Sequence, residues 1–177
     1  MKLVVLDRDG VINHDSAHYI THPDEWKPIA GSLEAIARFT QAGIRVVVAT
    51  NQSGVGRGLF DMATLNAIHD KMHKSVNQLG GRIDAIFFCP HTPDAGCACR
   101  KPLPGMLRDI AERFNMDLEG VPVIGDSRHD LEAAATVGAQ PVLVRTGKGE
   151  QTLKGDNLPG GTQIHPDLAA AAMALAE

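Results

Sequence analysis

Two short clusters in this chain of 177 residues have the residue types and spacing to do chemistry. The first begins at Asp7-Arg8-Asp9-Gly10, two carboxylates one residue apart, directly after the apolar run Lys2 to Leu6. A carboxylate can attack phosphorus and form an aspartyl phosphate, provided a cation offsets the repulsion between anions and a second carboxyl protonates the leaving oxygen. An isolated Asp-x-Asp is more often an Asx turn or a helix cap. Here it has company. Asp126 completes a hard-oxygen site of the kind Mg2+ takes, with positions left for water and phosphate. Thr50 supplies a hydroxyl, the turn after it supplies backbone N–H donors, and Lys101 supplies a fixed positive charge. The set reads as phosphoryl transfer. Asp130 suits either a cap on the helix beginning near His129 or support for the metal site.

The second cluster is Cys89-x-His91 followed by Cys97-x-Cys99, which holds all three cysteines of the protein with one imidazole. Three thiols and a histidine have the number and softness for a tetrahedral Zn2+ site, whereas an odd count in one short loop does not suit a disulfide framework. With all four positions filled by protein, such a zinc is structural and fixes the loop that presents Arg100 and Lys101.

Elements that can position these residues follow from the hydrophobic pattern. Continuous apolar runs at Lys2 to Leu6, Ile44 to Ala49, Ile83 to Phe88, Val121 to Ile124 and Pro141 to Val144 predict strands buried on both faces. Between them, Ser32 to Gln41, Met62 to Leu79, Gly105 to Phe114 and His129 to Val137 predict helices, and Gly43, Gly80 and Gly138 follow three of them as helix ends favour. Strands alternating with helices imply a three-layer, Rossmann-like α/β fold with a mostly parallel sheet. Ligands then bind beyond the carboxyl ends of the strands, where Asp7, Thr50, Cys89 and Asp126 fall. The stretch from Gly147 to Gly161 is expected to cross the surface before a final helix near Asp167 to Ala176. With no repeat and no shift in composition, residues 1–177 read as one domain. About forty residues separate Asp9 from Thr50 and about fifty separate Thr50 from Lys101, each interval filled by one helix and one strand. No cap domain fits there, so the cover over the site must come from Asn13 to Trp26, Gly54 to Phe60 and the cysteine loop. Trp26 is expected to serve packing.

Composition narrows the function classes. Lys and Arg number 17 against 21 Asp and Glu, a formal charge of -4, so the field of the whole chain does not favour nucleic acid or an anionic membrane as partner. No apolar run approaches the ~18 residues of a membrane span, and no secretory signal opens the sequence, so a cytoplasmic monomer is expected. Gly54-x-Gly56-x-Gly58 has the wrong spacing for a dinucleotide fingerprint, and Gly147-Lys148-Gly149 lacks the rest of a P-loop. His69 and His73 share a helix face but have no third ligand in view. A signalling receiver domain also surrounds a strand-end Asp with Thr, Lys and Mg2+. Asp9, placed to activate water against the phosphoenzyme, and the zinc loop both argue for an enzyme instead.

Asp7-x-Asp9-Gly10-Val11, Thr50, Lys101 and Gly125-Asp126 with Asp130 resemble, in order and placement, the four motifs of the haloacid dehalogenase (HAD) superfamily of phosphatases. The resemblance implies that Asp7 is the nucleophile and Asp9 the general acid and then base. Thr50 and Lys101 would hold the transferring phosphoryl, and Asp7, the Asp9 carbonyl and Asp126 would bind Mg2+. With Cys89, His91, Cys97 and Cys99 as zinc ligands, the chain resembles the zinc-loop group that holds the heptose-bisphosphate and histidinol-phosphate phosphatases. The stretches Thr50 to Gly58, Arg100 to Met106 and Val142 to Gly147 are similar to the heptose branch. That branch implies release of the C7 phosphate of D-glycero-D-manno-heptose 1,7-bisphosphate to give heptose 1-phosphate, a step toward ADP-heptose for the lipopolysaccharide core. Histidinol phosphate is the alternative substrate, and a polynucleotide 3'-phosphate a distant third. By the same resemblance Asp15, Ser16, Ala17 and His18, with Asn51, Gln52, Ser53 and Arg100, line the substrate pocket, Arg100 being suited to a second phosphate. Ser127 stands where some heptose enzymes have lysine.

Overall fold

A computed structural model describes residues 1–155 and 157–177; Asp156, in the stretch expected to cross the surface, lies outside the described residues. Six parallel strands, β1 (Lys2–Leu6), β2 (Ile44–Asn51), β3 (Ala85–Cys89), β4 (Pro122–Gly125), β5 (Gln140–Val144) and β6 (Gln163–His165), lie side by side in the order β3-β2-β1-β4-β5-β6. The chain steps outward from β1 to β3, then returns to the other side of β1 with β4. The reversal opens a crevice between the carboxyl ends of β1 and β4, the expected ligand position in such a sheet. Register brings the chemistry to that edge, since Leu6 pairs with both Val48 and Ile124. Asp7, Thr50 and Asp126 therefore emerge within one residue of a common level.

Among the described residues seven α-helices surround the sheet: α1 (Ser32–Gln41), α2 (Ser53–Gly56), α3 (Met62–Gln78), α4 (Gly105–Arg113), α5 (Arg128–Thr136), α6 (Gly149–Lys154) and α7 (Leu168–Leu175). Alternation along the strands divides the core into two layers. Val4 and Leu6 of β1 join Ile36 and Phe39 of α1, Ile68 and Met72 of α3, Leu168 of α7 and Trp26 in one. Leu3 and Val5 join Met106, Leu107 and Ile110 of α4 and Ala133 and Ala134 of α5 in the other. Each large aliphatic side chain so buried contributes about 1.5–3 kcal/mol. Helix starts use local acceptors: Asp61 accepts from Thr64 N at 2.8 Å, and Asp167 from Ala170 N at 2.8 Å.

Three expectations need correction. The third strand starts at Ala85 rather than Ile83, because Asp84 turns its carboxylate back to accept from Val46 N at 2.9 Å. The stretch after Gly147 contains α6. A sixth strand, β6, pairs with β5 from Val142↔Gln163 to Val144↔His165. Neither element carries an apolar periodicity, so pairing and tertiary contacts decide both. Trp26 is fully buried, as expected of a packing residue, with Lys71 of α3 donating to Pro23 O at 2.7 Å and Trp26 O at 3.0 Å.

Candidate active site

Asp7 follows the last residue of β1 and continues its pairing, its N–H donating to Ile124 O at 2.9 Å. Its Oδ1 accepts from Arg8 N at 2.9 Å and lies 3.3 Å from Lys101 Nζ. Gly10 then turns the chain at φ +83°, where a side chain would be strained and its Cβ would run into the Asp126 carboxylate. Gly147 meets the same carboxylate from the other side, so the two glycines let β1 and the loop after β5 close around it. Asp9 is held by side chains. Arg8 Nε donates to Oδ1 at 2.8 Å, Asn13 Nδ2 to Oδ1 at 3.0 Å, and Gln52 Nε2 to Oδ2 at 3.2 Å.

Lys101 is buried, and its ammonium donates to Asp130 Oδ1 at 2.7 Å, to Asp7 and to Ala49 O. Burial opposes that charge, yet Asp130 and Asp7 more than offset the penalty and hold the ammonium protonated beyond its ordinary range. Asp130 takes the capping role on one carboxyl oxygen and holds Lys101 with the other. Its Oδ2 accepts from Ser127 N at 3.1 Å and Ser127 Oγ at 2.9 Å, closing a capping box on α5, while Oδ1 anchors Lys101. Asp126 Oδ2 accepts from Lys148 N at 2.9 Å, and its carbonyl from Thr152 Oγ1 at 2.7 Å, which ties α6 to the site.

Carboxylate oxygens of Asp7, Asp126 and Asp130 all lie within 4.8 Å of one another. Burial first, then Asp130 opposite, push the Asp7 carboxyl well above the usual carboxylate range. The same two causes push Asp126 up to about 7. Anions crowded at this spacing are what a divalent cation relieves, and the hard-oxygen set fits Mg2+. Because Asp130 already serves Lys101 and Ser127, Asp7 and Asp126 are the carboxylates free to hold it. Asp9 behaves oppositely. Burial disfavours its charge, but the Arg8 guanidinium and the hydrogen bonds from Arg8, Asn13 and Gln52 hold its carboxyl below the ordinary range.

These groups face a cleft of about 890 Å³ that Thr50, Asn51, Gln52, Ser53, Arg100, Asp15, Ser16 and Ala17 also line, all anticipated; His18 does not line it. Asn51 is already engaged, its amide giving and receiving hydrogen bonds with the Lys101 backbone at 3.3 and 3.1 Å, so it locks the cation's loop to β2. Gln52 Nε2 bridges Asp9 Oδ2 and Thr50 Oγ1, the latter at 2.9 Å. His14 and Tyr19, from the Asn13 to Trp26 segment expected to cover the site, line the cleft as well, and so do Arg128, His129 and Lys148, which were not anticipated. Arg128 and His129 directly follow Asp126-Ser127, so their place beside a strand-end carboxylate was the signal available. Lys148 lies in Gly147-Lys148-Gly149, which is too incomplete for a P-loop and so carries no signal of its own.

In the cysteine loop, Cys89 Sγ lies 3.7 Å from Cys97 Sγ, 2.8 Å from Cys99 Sγ and 3.5 Å from His91 Nδ1, which is 3.3 Å from Cys99 Sγ. Tetrahedral bonds of ~2.3 Å to sulfur place sulfurs roughly 3.8 Å apart, so the four atoms need only small shifts to enclose Zn2+. Their ionisation agrees. Burial raises Cys89 and pushes Cys99 up to about 12, while hydrogen bonds from backbone N–H groups and from the Cys89 and Cys99 thiols overcome desolvation and bring Cys97 to about 6. The cluster carries one easy thiolate and needs a cation to hold more.

A polynucleotide kinase 3 phosphatase family model matches residues 2–130 and a HAD-hydrolase-like model residues 98–171. The D-glycero-beta-D-manno-heptose-1,7-bisphosphate 7-phosphatase of Bordetella bronchiseptica is 63% identical over 172 residues, 97% of this chain and 96% of that one. The chain belongs to this heptose-bisphosphate phosphatase family. Its relative of the same name in Pseudomonas aeruginosa is 58% identical, across 98% of this chain and 97% of that one. A crystal structure of the family from B. bronchiseptica, complexed with magnesium and phosphate, superposes with a TM-score of 0.98 and covers 99% of this chain and 98% of that one. That of the Burkholderia thailandensis family member, 55% identical, has a TM-score of 0.79 over 98% of this chain and 97% of that one. The chain is a phosphatase with the HAD hydrolase fold.

Proposed function

We propose that the protein hydrolyses the C7 phosphate of D-glycero-β-D-manno-heptose 1,7-bisphosphate, releasing heptose 1-phosphate and orthophosphate in the cytoplasm, on the route to ADP-heptose and the lipopolysaccharide core. The observation that carries the reading is full-length similarity to enzymes of that name, 63% in B. bronchiseptica, on a chain whose strand-end residues meet in one cleft. The name also favours the β anomer at C1.

Asp7 attacks phosphorus through a carboxylate oxygen. The new Asp7 O–P bond forms as the ester P–O bond breaks, and Asp9 delivers a proton to the departing sugar oxygen. Asp9 rests as a carboxylate in the protein alone, so the proton arrives as the anionic substrate enters and raises its affinity for one. Water then attacks the aspartyl phosphate, Asp9 takes a proton from it, and the Asp7 O–P bond breaks. Lys101, held protonated by Asp130 and Asp7, and the Thr50 hydroxyl stabilise the charge on the phosphoryl oxygens. Mg2+, held by Asp7, Asp126 and the Asp9 carbonyl, would neutralise the crowded anions and orient the phosphoryl group. Zn2+, held by Cys89, His91, Cys97 and Cys99, would fix the loop carrying Arg100. Arg100, whose Nη1 lies 3.4 Å from His91 O, is the cation offered to the C1 phosphate. The protein acts as a monomer on a small phosphorylated sugar.

Phosphate release with Mg2+ tests the reading, comparing the heptose bisphosphate with L-histidinol phosphate by kcat/KM. The expected result is a preference of a hundredfold or more for the bisphosphate, about 2.7 kcal/mol of transition-state discrimination. Asp7→Asn should turn over neither. The reverse preference would move the protein to histidinol phosphate, and a faster rate on a 3'-phosphorylated oligonucleotide would move it to nucleic acid ends.

A further inference from the structure

Arg8, the residue between the two aspartates, has no exposed surface, and a guanidinium buried to that degree is costly unless it is paired. Its nitrogens point two ways. Nε donates to Asp9 Oδ1 at 2.8 Å and Nη2 lies 2.8 Å from that same oxygen, while Nη1 sits 3.1 Å from Nε2 of His69 on α3. Arginine has no lone pair to offer, so His69 Nε2 is the acceptor and the ring carries its proton on Nδ1. His69, itself buried, therefore keeps the far end of the guanidinium from swinging away.

The two oxygens of Asp9 consequently differ. Oδ1 accepts from Arg8 Nε and from Asn13 Nδ2 at 3.0 Å, and Arg8 Nη2 adds an ion-pair contact to it without a hydrogen bond of its own. Among the described residues Oδ2 accepts only the Gln52 amide, at 3.2 Å, and that amide also serves Thr50 Oγ1. We propose that Arg8 and His69 are positioning residues for proton transfer: the chain His69–Arg8–Asp9 immobilises Oδ1 and reserves Oδ2 as the oxygen that gives the proton to the leaving group and later takes one from water. Without the chain the carboxylate can rotate and present either oxygen, and misplacement of a reacting group by about 1 Å can cost on the order of a hundredfold in rate. The role deepens the phosphatase reading and rests on it.

Leaving-group dependence separates this role from a structural one. With the Mg2+-loaded enzyme, kcat/KM reports events up to formation of the aspartyl phosphate. A sugar alkoxide needs a proton to leave at that stage, whereas the nitrophenolate of p-nitrophenyl phosphate does not. His69→Leu should lower kcat/KM for the heptose bisphosphate about tenfold or more and for p-nitrophenyl phosphate less than about threefold, within the span that proton transfer contributes. His69→Gln, whose Oε1 can accept from Arg8, should restore most of the loss. Arg8→Lys keeps the buried charge but converges only one nitrogen on Oδ1, and it should show the same selective defect; it also carries the test if the leucine variant does not fold. Asp9→Asn sets the limiting selectivity. Equal losses on both phosphates, no loss on either, or a glutamine variant no better than leucine would overturn the proposal. If the wild-type enzyme prefers another alkyl phosphate, the substrate reading fails, while the alkyl-to-aryl ratio of each variant still decides the role of Arg8 and His69.

Discussion

Replacing His69 by a residue that cannot titrate should remove a defined part of the protein's pH dependence of stability. The ring is buried at 7% exposure and accepts from Arg8 through Nε2, so protonation would break that bond and set an imidazolium against a guanidinium. Burial first, then Arg8, with a smaller push from His73 and partial opposition from Asp9, bring its pKa from 6.5 to about 3. Between those values the unfolded chain holds more protons than the native one, so stability falls as pH drops through 6.5 and levels off near 3. The full gap of about 3.5 units corresponds to roughly 5 kcal/mol at about 1.36 kcal/mol per unit. Between pH 7.5 and pH 5.0 the linkage gives about 2 kcal/mol, and it gives nearly the same figure with a native pKa of about 4, because at pH 5 the native ring is neutral in either case. The assay is urea unfolding of wild type and His69→Gln at both pH values. The carboxylates and cysteines titrate in both proteins, so the difference of differences isolates the imidazole. Wild type should lose about 2 kcal/mol more than the variant on going to pH 5. Parallel losses would mean that His69 is free to protonate in the native state and that the buried acceptor geometry is mistaken.

The Cys97→Ser/Cys99→Ser double variant should lose its bound zinc, from near one ion per chain to near none by elemental analysis, since two of four ligands are gone; full zinc content would refute the metal assignment. Asp130→Ala removes the acceptor of a buried ammonium and half of the α5 capping box, and should cost roughly 3–5 kcal/mol in urea unfolding, from the broken pair and the lost cap together. A cost below about 1 kcal/mol would show that Asp7 and Ala49 O suffice to hold Lys101.

The legible parts of the fold are those where side chains carry their own signal. Apolar runs announce β1, β2, β4 and β5, and the polar residues after them announce the sheet edge where ligands bind. The Cys/His cluster is legible because soft ligands rarely gather without a metal. β6 is a different case: Gln163-Ile164-His165 has one apolar residue, exposed, and becomes a strand only because the β5 edge offers backbone partners. α6 likewise depends on Thr152 and Lys148 binding Asp126, contacts across more than twenty residues that no local pattern contains. Gly147 gives no local signal because its duty, making room for the Asp126 carboxylate, exists only once Gly10 is beside it.

Arg8 shows where the pattern held more than its immediate use. In a motif of paired aspartates the middle residue looks like a spacer, yet alternation along β1 already sends Val4 and Leu6 into the layer with Ile68 and Met72 of α3. Continued by one more step, the same alternation sends the residue after Asp7 toward α3, where an apolar side chain would pack without electrostatic penalty. A guanidinium there has to find both a carboxylate and a neutral acceptor in the core, and the described residues supply one of each, Asp9 and His69. The histidine that had no metal partner on its helix face thus acquires one reason to be buried and neutral: it is the acceptor that makes a buried arginine tolerable. The arginine in turn makes the two oxygens of Asp9 unequal, and that inequality is what a carboxyl needs if it is to give and take one proton at one place.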